Sequence, residues 1–163
     1  MTSMSSAHDF TARIRWTGNT GDGTRHYKAY TRDWALATPG KPEIACTNDP
    51  RLGGLPNLYN AEDMLIAALS SCHMLWFLHL ASDAGLIVHS YVDEPLGHGT
   101  SLPDGTGRFT AATLRPRIGM AAGSDPKLAD EVHGRIHAHC FIARSVNFPV
   151  TIKASYVEEN TPA

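Results

Sequence analysis

Charge is scarce in this sequence and belongs to neither sign. Of its 163 residues 18% are charged, with 14 Lys and Arg against 16 Asp and Glu, for a formal net charge of −2. A nucleic-acid backbone calls for a basic stripe and an anionic membrane surface for a polybasic patch; neither exists here, so no nucleic-acid or membrane partner is expected. Cysteine is also sparse. Three cysteines, Cys46, Cys72 and Cys140, are too few for a disulfide scaffold and point instead to thiol chemistry or metal binding. The residues from Met1 to Phe10 lack the basic leader and apolar core of a secretory signal, which predicts a cytoplasmic protein. The one long apolar run, Met64 to Ala81, is interrupted by Ser70, Ser71, His73 and His79 and has no flanking cluster of Lys or Arg. It reads as a buried core helix rather than a membrane span.

What remains is an ordinary globular composition, 42% hydrophobic, on a chain long enough for one hydrophobic core. The expectation is a single domain over residues 1–163, with mobile tails at about 1–9 and 157–163. Loose alternation from Phe10 to Trp16 predicts a first strand, the Thr17–Gly23 cluster a turn, and Arg25 to Leu36 a second strand completing a hairpin. A short strand over Glu43–Cys46 and a loop over Asp49–Asn57 lead to the principal helix. Asn60 is its expected N-cap, Glu62 and Asp63 suit the positive end of the helix dipole, and Gly85 is its stop. Leu65, Leu69, Cys72, Trp76 and Leu80 recur at helical spacing, but Ile66, Ala67, Met74 and Phe77 leave little polar surface. A helix apolar nearly all round must be covered on several sides, by a sheet and by another helix or a second subunit.

Leu86–Val92 reads as a strand, Gly97–Gly107 as a glycine-punctuated turn region and Arg108–Gly119 as further strand. Asp125-Pro126 opens a second helix, with Leu128, Val132 and Ile136 on its buried stripe, that carries the chain to Cys140. A final strand spans Val146–Tyr156. The order predicts an α+β fold with an N-terminal antiparallel sheet, a long central helix, further strands, a second helix and a last strand.

Cys72 and Cys140 fall on the two long helices, and thiols so placed can face each other across a core. Disulfide closure needs their Cα atoms within about 7 Å, which spacing alone does not establish. The residues around them are more informative. Asn60-Ala61-Glu62-Asp63-Met64-Leu65 followed by Ala68-Leu69-Ser70-Ser71-Cys72-His73-Met74 resembles the helix signature of the OsmC/Ohr superfamily of organic hydroperoxide resistance proteins. Cys140-Phe141-Ile142-Ala143-Arg144-Ser145-Val146 is similar to the segment carrying that family's other cysteine. The order of elements follows the family over roughly Ala12 to Tyr156. Ala61 replaces a common proline, and Phe141 stands where the peroxidases often have proline after the second cysteine, which marks a Cys-His-Met and Cys-Phe-Ile-Ala subfamily.

The resemblance implies an intertwined homodimer and a thiol-dependent peroxidase. In it Cys72 attacks an organic hydroperoxide, Cys140 resolves the resulting sulfenic acid, and an external dithiol reduces the disulfide, with no cofactor and no metal. A thiolate among apolar side chains needs a fixed cation, which the family draws from its first hairpin. Arg32, in Tyr30-Thr31-Arg32-Asp33-Trp34, is the preferred candidate and Arg25 the other, although Asp33 can equally neutralise Arg32. Glu62 is the implied carboxylate partner of that arginine. Ten residues of helix are about 15 Å of rise, so Glu62 reaches a site containing Cys72 only if the helix breaks or if the site belongs to a neighbouring subunit. The plainer role of Glu62 is to steady the helix start.

Leu69, Met74, Trp76 and Phe77 suggest an oily alkyl or fatty-acyl hydroperoxide. The alternative to an enzyme is a non-enzymatic OsmC-like stress or apolar-ligand-binding protein with structural cysteines. Cys46, outside the motif, reads as structural. Nine histidines include His133 and His137 at the i, i+4 spacing of a helical metal pair, but His139 and the carboxylates of Asp130 and Glu131 are not placed to complete a site. The histidines read mainly as surface groups or as core groups with one satisfied nitrogen.

Overall fold

The structure, a computed structural model, describes residues 7–160. The chain forms two compact units, one reaching Met64 and the other starting at Leu65. In the first, β1 (Arg13–Trp16), β2 (Trp34–Ala37) and β3 (Ile44–Cys46) make an antiparallel sheet in that order, with Trp16 opposite Trp34 and Trp34 opposite Cys46. The second strand therefore starts at Trp34 and not at Arg25. The segment before it spends its polar groups locally: the Asn19 carboxamide accepts from the backbone N–H of Gly21 and Gly23, Ala29 N–H donates to His26, and only an isolated bridge joins Asn19 to Tyr30. The Trp34 indole donates to the Thr47 carbonyl at 2.8 Å, and Cys46 is buried beside it in sequence with its thiol donating to the Ile44 carbonyl.

The long helix α1 (Ala61–Asp83) is unbroken. A reciprocal cap starts it, in which Asp63 N–H donates to the Asn60 side chain at 2.8 Å and Asn60 N–H donates to the Asp63 carboxylate at 3.3 Å. Gly85, at φ +79°, ends it, with Leu86 N–H returning to the Ala81 carbonyl.

In the second unit, β4 (Val88–Val92), β5 (Leu96–Ser101), β6 (Gly107–Leu114), β7 (Arg117–Met120), β8 (Val150–Ile152) and β9 (Ser155–Glu158) form two three-stranded sheets, β4-β7-β9 and β5-β6-β8. The sheets repeat one order, because three lengths of chain each pass from one to the other through a short break. The expected strand Arg108–Gly119 is split at Arg115-Pro116, and Val146–Tyr156 is split at Lys153-Ala154. Pro116 has no N–H for a ladder. Across the break Lys153 N–H donates to the Leu114 carbonyl and Ser155 N–H to that of Pro116, so the two parallel lengths bend together. Asp93 pins the corner by accepting from Arg115 N–H at 2.7 Å and from the Ser70 hydroxyl of α1 at 2.5 Å.

Two further expectations change. Residues 96–101 are strand, not turn, since β5 pairs with β6 and only the Leu102–Thr106 segment turns. The glycines there serve close packing: a Cβ at Gly97 would lie 2.6 Å from the Phe109 ring and 2.8 Å from Ile66 of α1. Val157 and Glu158 belong to β9, and Glu159 N–H donates to the Met120 carbonyl, so this part of the expected tail is ordered; residues 1–6 and 161–163 lie outside the described residues.

The second helix, α2 (Pro126–Ile136), starts as expected, with the Asp125 carboxylate capping Lys127 N–H. It ends at Ile136, before Cys140. Leu69, Phe77, Leu80 and Ala81 of α1 pack with Leu114 and Ile118 of the strands and with Ala129, Val132 and Ile136 of α2. Each fully buried large side chain contributes about 1.5–3 kcal/mol. The buried face of α1 is thus Leu69, His73, Phe77, Leu80 and Ala81, whereas Leu75 and Leu78 are exposed.

Candidate active site

Cys72 stands half-buried on α1, against the core of the second unit. Cys140 arrives from the other side. After Ile136 the chain tightens, His139 and Cys140 N–H both donating to the Ile136 carbonyl at 2.8 Å, and a 3₁₀ turn over Ala143–Ser145 then redirects it. This turn encloses Cys140 completely and aims Ala143 N–H at its sulfur, at 3.3 Å.

The Cys140 thiol donates to the sulfur of Cys72, with the two Sγ atoms 2.7 Å apart and both cysteines free. That separation is about 0.7 Å from disulfide bonding distance, so closure requires little movement. Burial, and then the bond to Cys72, push the Cys140 thiol up to about 11. Cys140 therefore keeps its proton and presents it to Cys72. Among the described residues, Cys140 is the hydrogen-bond partner of Cys72.

One turn on from Cys72 along α1, the Trp76 ring lies 5.0 Å from that of His139 and 5.5 Å from that of His79. Leu69 and Phe77, expected to face an oily substrate, have no exposed surface and are core; Met74 and Trp76 are half-buried. An all-round apolar helix conceals which of its faces is inward.

The structure brings Cys72 and Cys140 together within the second unit. Arg25, Arg32 and Glu62 belong to the first. Arg25 is exposed. Arg32 is half-buried, donates to the carbonyls of Tyr30 and Tyr27, and lies 4.0 Å from the centre of the Tyr27 ring and 4.9 Å from that of Tyr30. Asp33 does not neutralise it: one Asp33 oxygen accepts from Thr31 and the other from Thr47. Glu62 is exposed in the first turn of α1, and its charge acts on Arg51, whose ion-pair partner is Asp49.

Sequence reasoning weighed His133 with His137 and His73 with His79, and missed the pairing that forms. Nε2 of His73 and Nδ1 of His133 are 2.9 Å apart in the core. A small cavity of about 50 Å³ adjoins them, lined by Leu69, His73, His133, His137, Ala143 and Ile152 among others. The signal was present in the buried stripes, where His73 stands between Leu69 and Phe77 and His133 next to Val132.

Comparison with known proteins decides the family. The OsmC-like protein family model matches residues 54–155, which include the whole of α1, both cysteines of the pair and all of α2. The chain belongs to the OsmC-like family. No curated protein matches it. Among solved structures, an OsmC-like protein of unknown function from Vibrio cholerae O1 biovar eltor superposes with a TM-score of 0.82 at 26% identity, over 91% of this chain and 100% of that one. An organic hydroperoxide resistance protein from Elizabethkingia anophelis gives 0.68 at 14% identity, over 96% of this chain and 100% of that one. One from Legionella pneumophila gives 0.65 at 15%, over 93% and 98%. The last two share the fold with this OsmC-like chain.

Proposed function

We propose that this OsmC-like protein is a thiol-dependent peroxidase that reduces organic hydroperoxides. The observation that carries this reading is the 2.7 Å approach of Cys140 Sγ to Cys72 Sγ, with the more deeply buried thiol donating to the more accessible sulfur. The Cys72 thiolate attacks the distal peroxide oxygen, the O–O bond breaks, and the alkoxide takes a proton and leaves as alcohol. Cys140 sulfur then attacks the Cys72 sulfenic acid; the S–S bond forms, the S–O bond breaks, and the hydroxyl leaves as water with the proton of Cys140. An external dithiol returns two hydrogens and restores both thiols.

The activating cation in this reading is Arg32. Within its own chain its guanidinium is oriented by carbonyls and tyrosine rings, whereas Arg25 stands in solvent. Glu62 steadies that arginine in the site of a partner subunit of a homodimer, consistent with an unbroken α1 and with the exposed Leu75 and Leu78. The reaction takes place in the cytoplasm, where dithiol reductants are abundant.

Consumption of tert-butyl hydroperoxide with dithiothreitol tests the proposal. The wild type turns over, Cys140→Ser consumes peroxide without forming an intramolecular disulfide, and Arg32→Ala slows the reaction far more than Arg25→Ala. Equal rates for the wild type and Cys72→Ser would reject it.

A further inference from the structure

The second unit holds a polar pair that the peroxidase steps do not use. His73 and His133 are 5% and 8% exposed, their rings are parallel within 7°, and Nε2 of the first bonds Nδ1 of the second at 2.9 Å. Phe77 stacks on His133, with its ring centre 4.3 Å from that of the imidazole. Nε2 of His133 is buried and has no hydrogen-bond partner among the described residues. Two imidazoles among Leu69 and Leu114 give up most of their solvation by water. Aliphatic side chains of similar volume avoid that penalty. Stability therefore does not explain the couple.

What a hydrogen bond supplies and an oily contact does not is a fixed length and direction. Its ends are placed where direction matters. His73 follows Cys72 directly on α1, and His133 sits on α2, whose last turn leads through Ile136 to Cys140. Ala143, which bonds the Cys140 sulfur, lines the same cavity as both imidazoles. We infer that the His73–His133 couple is a positioning device, whose hydrogen bond sets the register of α1 against α2 and so holds the Cys72 and Cys140 sulfurs in closing range. This rests on the reading of Cys72 and Cys140 as a redox couple.

The test is the equilibrium of the Cys72–Cys140 disulfide with glutathione, in which two glutathione thiols are oxidised as the protein disulfide is reduced. Its constant reports how closely the protein holds its two sulfurs. The double variant His73→Leu with His133→Leu folds with a melting temperature at or above the wild type, and its disulfide is about tenfold easier to reduce, the worth of one directional hydrogen bond. In the pair His73→Gln with His133→Asn, the amide groups reach the positions of Nε2 and Nδ1, and the constant returns to within about twofold of the wild type. His137→Ala, which changes the cavity wall outside the couple, leaves it unchanged. An unaltered constant in the leucine pair, or failure of that pair to fold, would overturn the inference. A wild-type protein that forms no disulfide at any glutathione ratio would overturn the redox reading itself, and the inference with it.

Discussion

Two polar pairs occupy the second unit, one residue apart along α1, and they meet different fates. The thiols of Cys72 and Cys140 are 2.7 Å apart with one sulfur half-buried; the imidazoles of His73 and His133 are 2.9 Å apart and both are buried. Chemistry of comparable reach is thus split by the helical turn between adjacent residues, which directs Cys72 towards the margin of the core and His73 into it. Access decides which pair can react. The thiol pair has a half-buried edge, at which the proposed peroxide and reductant would meet it, while the imidazole pair is closed in by Phe77, Leu69 and Leu114 and is suited to hold rather than to react.

The largest way to break this contrast is to remove its reactive half. Cys72→Ser brings peroxide consumption down to the uncatalysed rate while leaving thermal stability near the wild-type value, as measured by a dithiol-coupled assay and by thermal unfolding. Removing the wall behind the imidazoles comes next. Phe77→Ala empties a fully buried ring position and costs about 3–5 kcal/mol in urea unfolding. Smaller again is Gly97→Ala, in which the new Cβ meets Phe109 and Ile66 and pushes α1 from the sheet, costing about 1–3 kcal/mol by the same measurement.

The subtlest probe sharpens the contrast by titration. Burial pushes His73 and His133 down to about 4, from an ordinary 6.5, with Asp93 and Asp130 opposing the shift from a distance. The unfolded chain therefore binds more protons than the folded one between those values. Stability is fully present above about 6.5 and declines as the pH falls towards 4. Melting temperature against pH checks this. The double variant His73→Leu with His133→Leu flattens the slope in that window, and an unchanged slope would mean that other groups govern it.

Local signals made much of the frame readable before the structure. Asn60 with Asp63, and Asp125 with Pro126, announce helix starts because a side-chain acceptor satisfies an otherwise free backbone N–H, and Gly85 announces a stop because it alone takes the left-handed conformation easily. The family resemblance named Cys72 and Cys140 as partners, and they are in contact. The bends at Arg115-Pro116 and Lys153-Ala154 were harder to read, because what matches them is the neighbouring strand and not the local sequence. The inward face of α1 is not legible in the sequence because apolar residues surround the helix, and for the same reason the pairing of His73 with His133 is not. Gly97 looked like a turn residue since its role, making room for Phe109 and Ile66, is visible only in three dimensions. Arg25, Arg32 and Glu62 were chosen from motif position, and the local contacts of the first unit distinguish Arg32 from Arg25 by the tyrosine rings that hold it.

The most direct test of the account is peptide mass mapping after a single equivalent of tert-butyl hydroperoxide is added to the reduced protein. The account predicts one intramolecular disulfide linking the Cys72 and Cys140 peptides, with Cys46 left as a free thiol. Recovery of all three cysteines unmodified, or oxidation of Cys46 in their place, would contradict it.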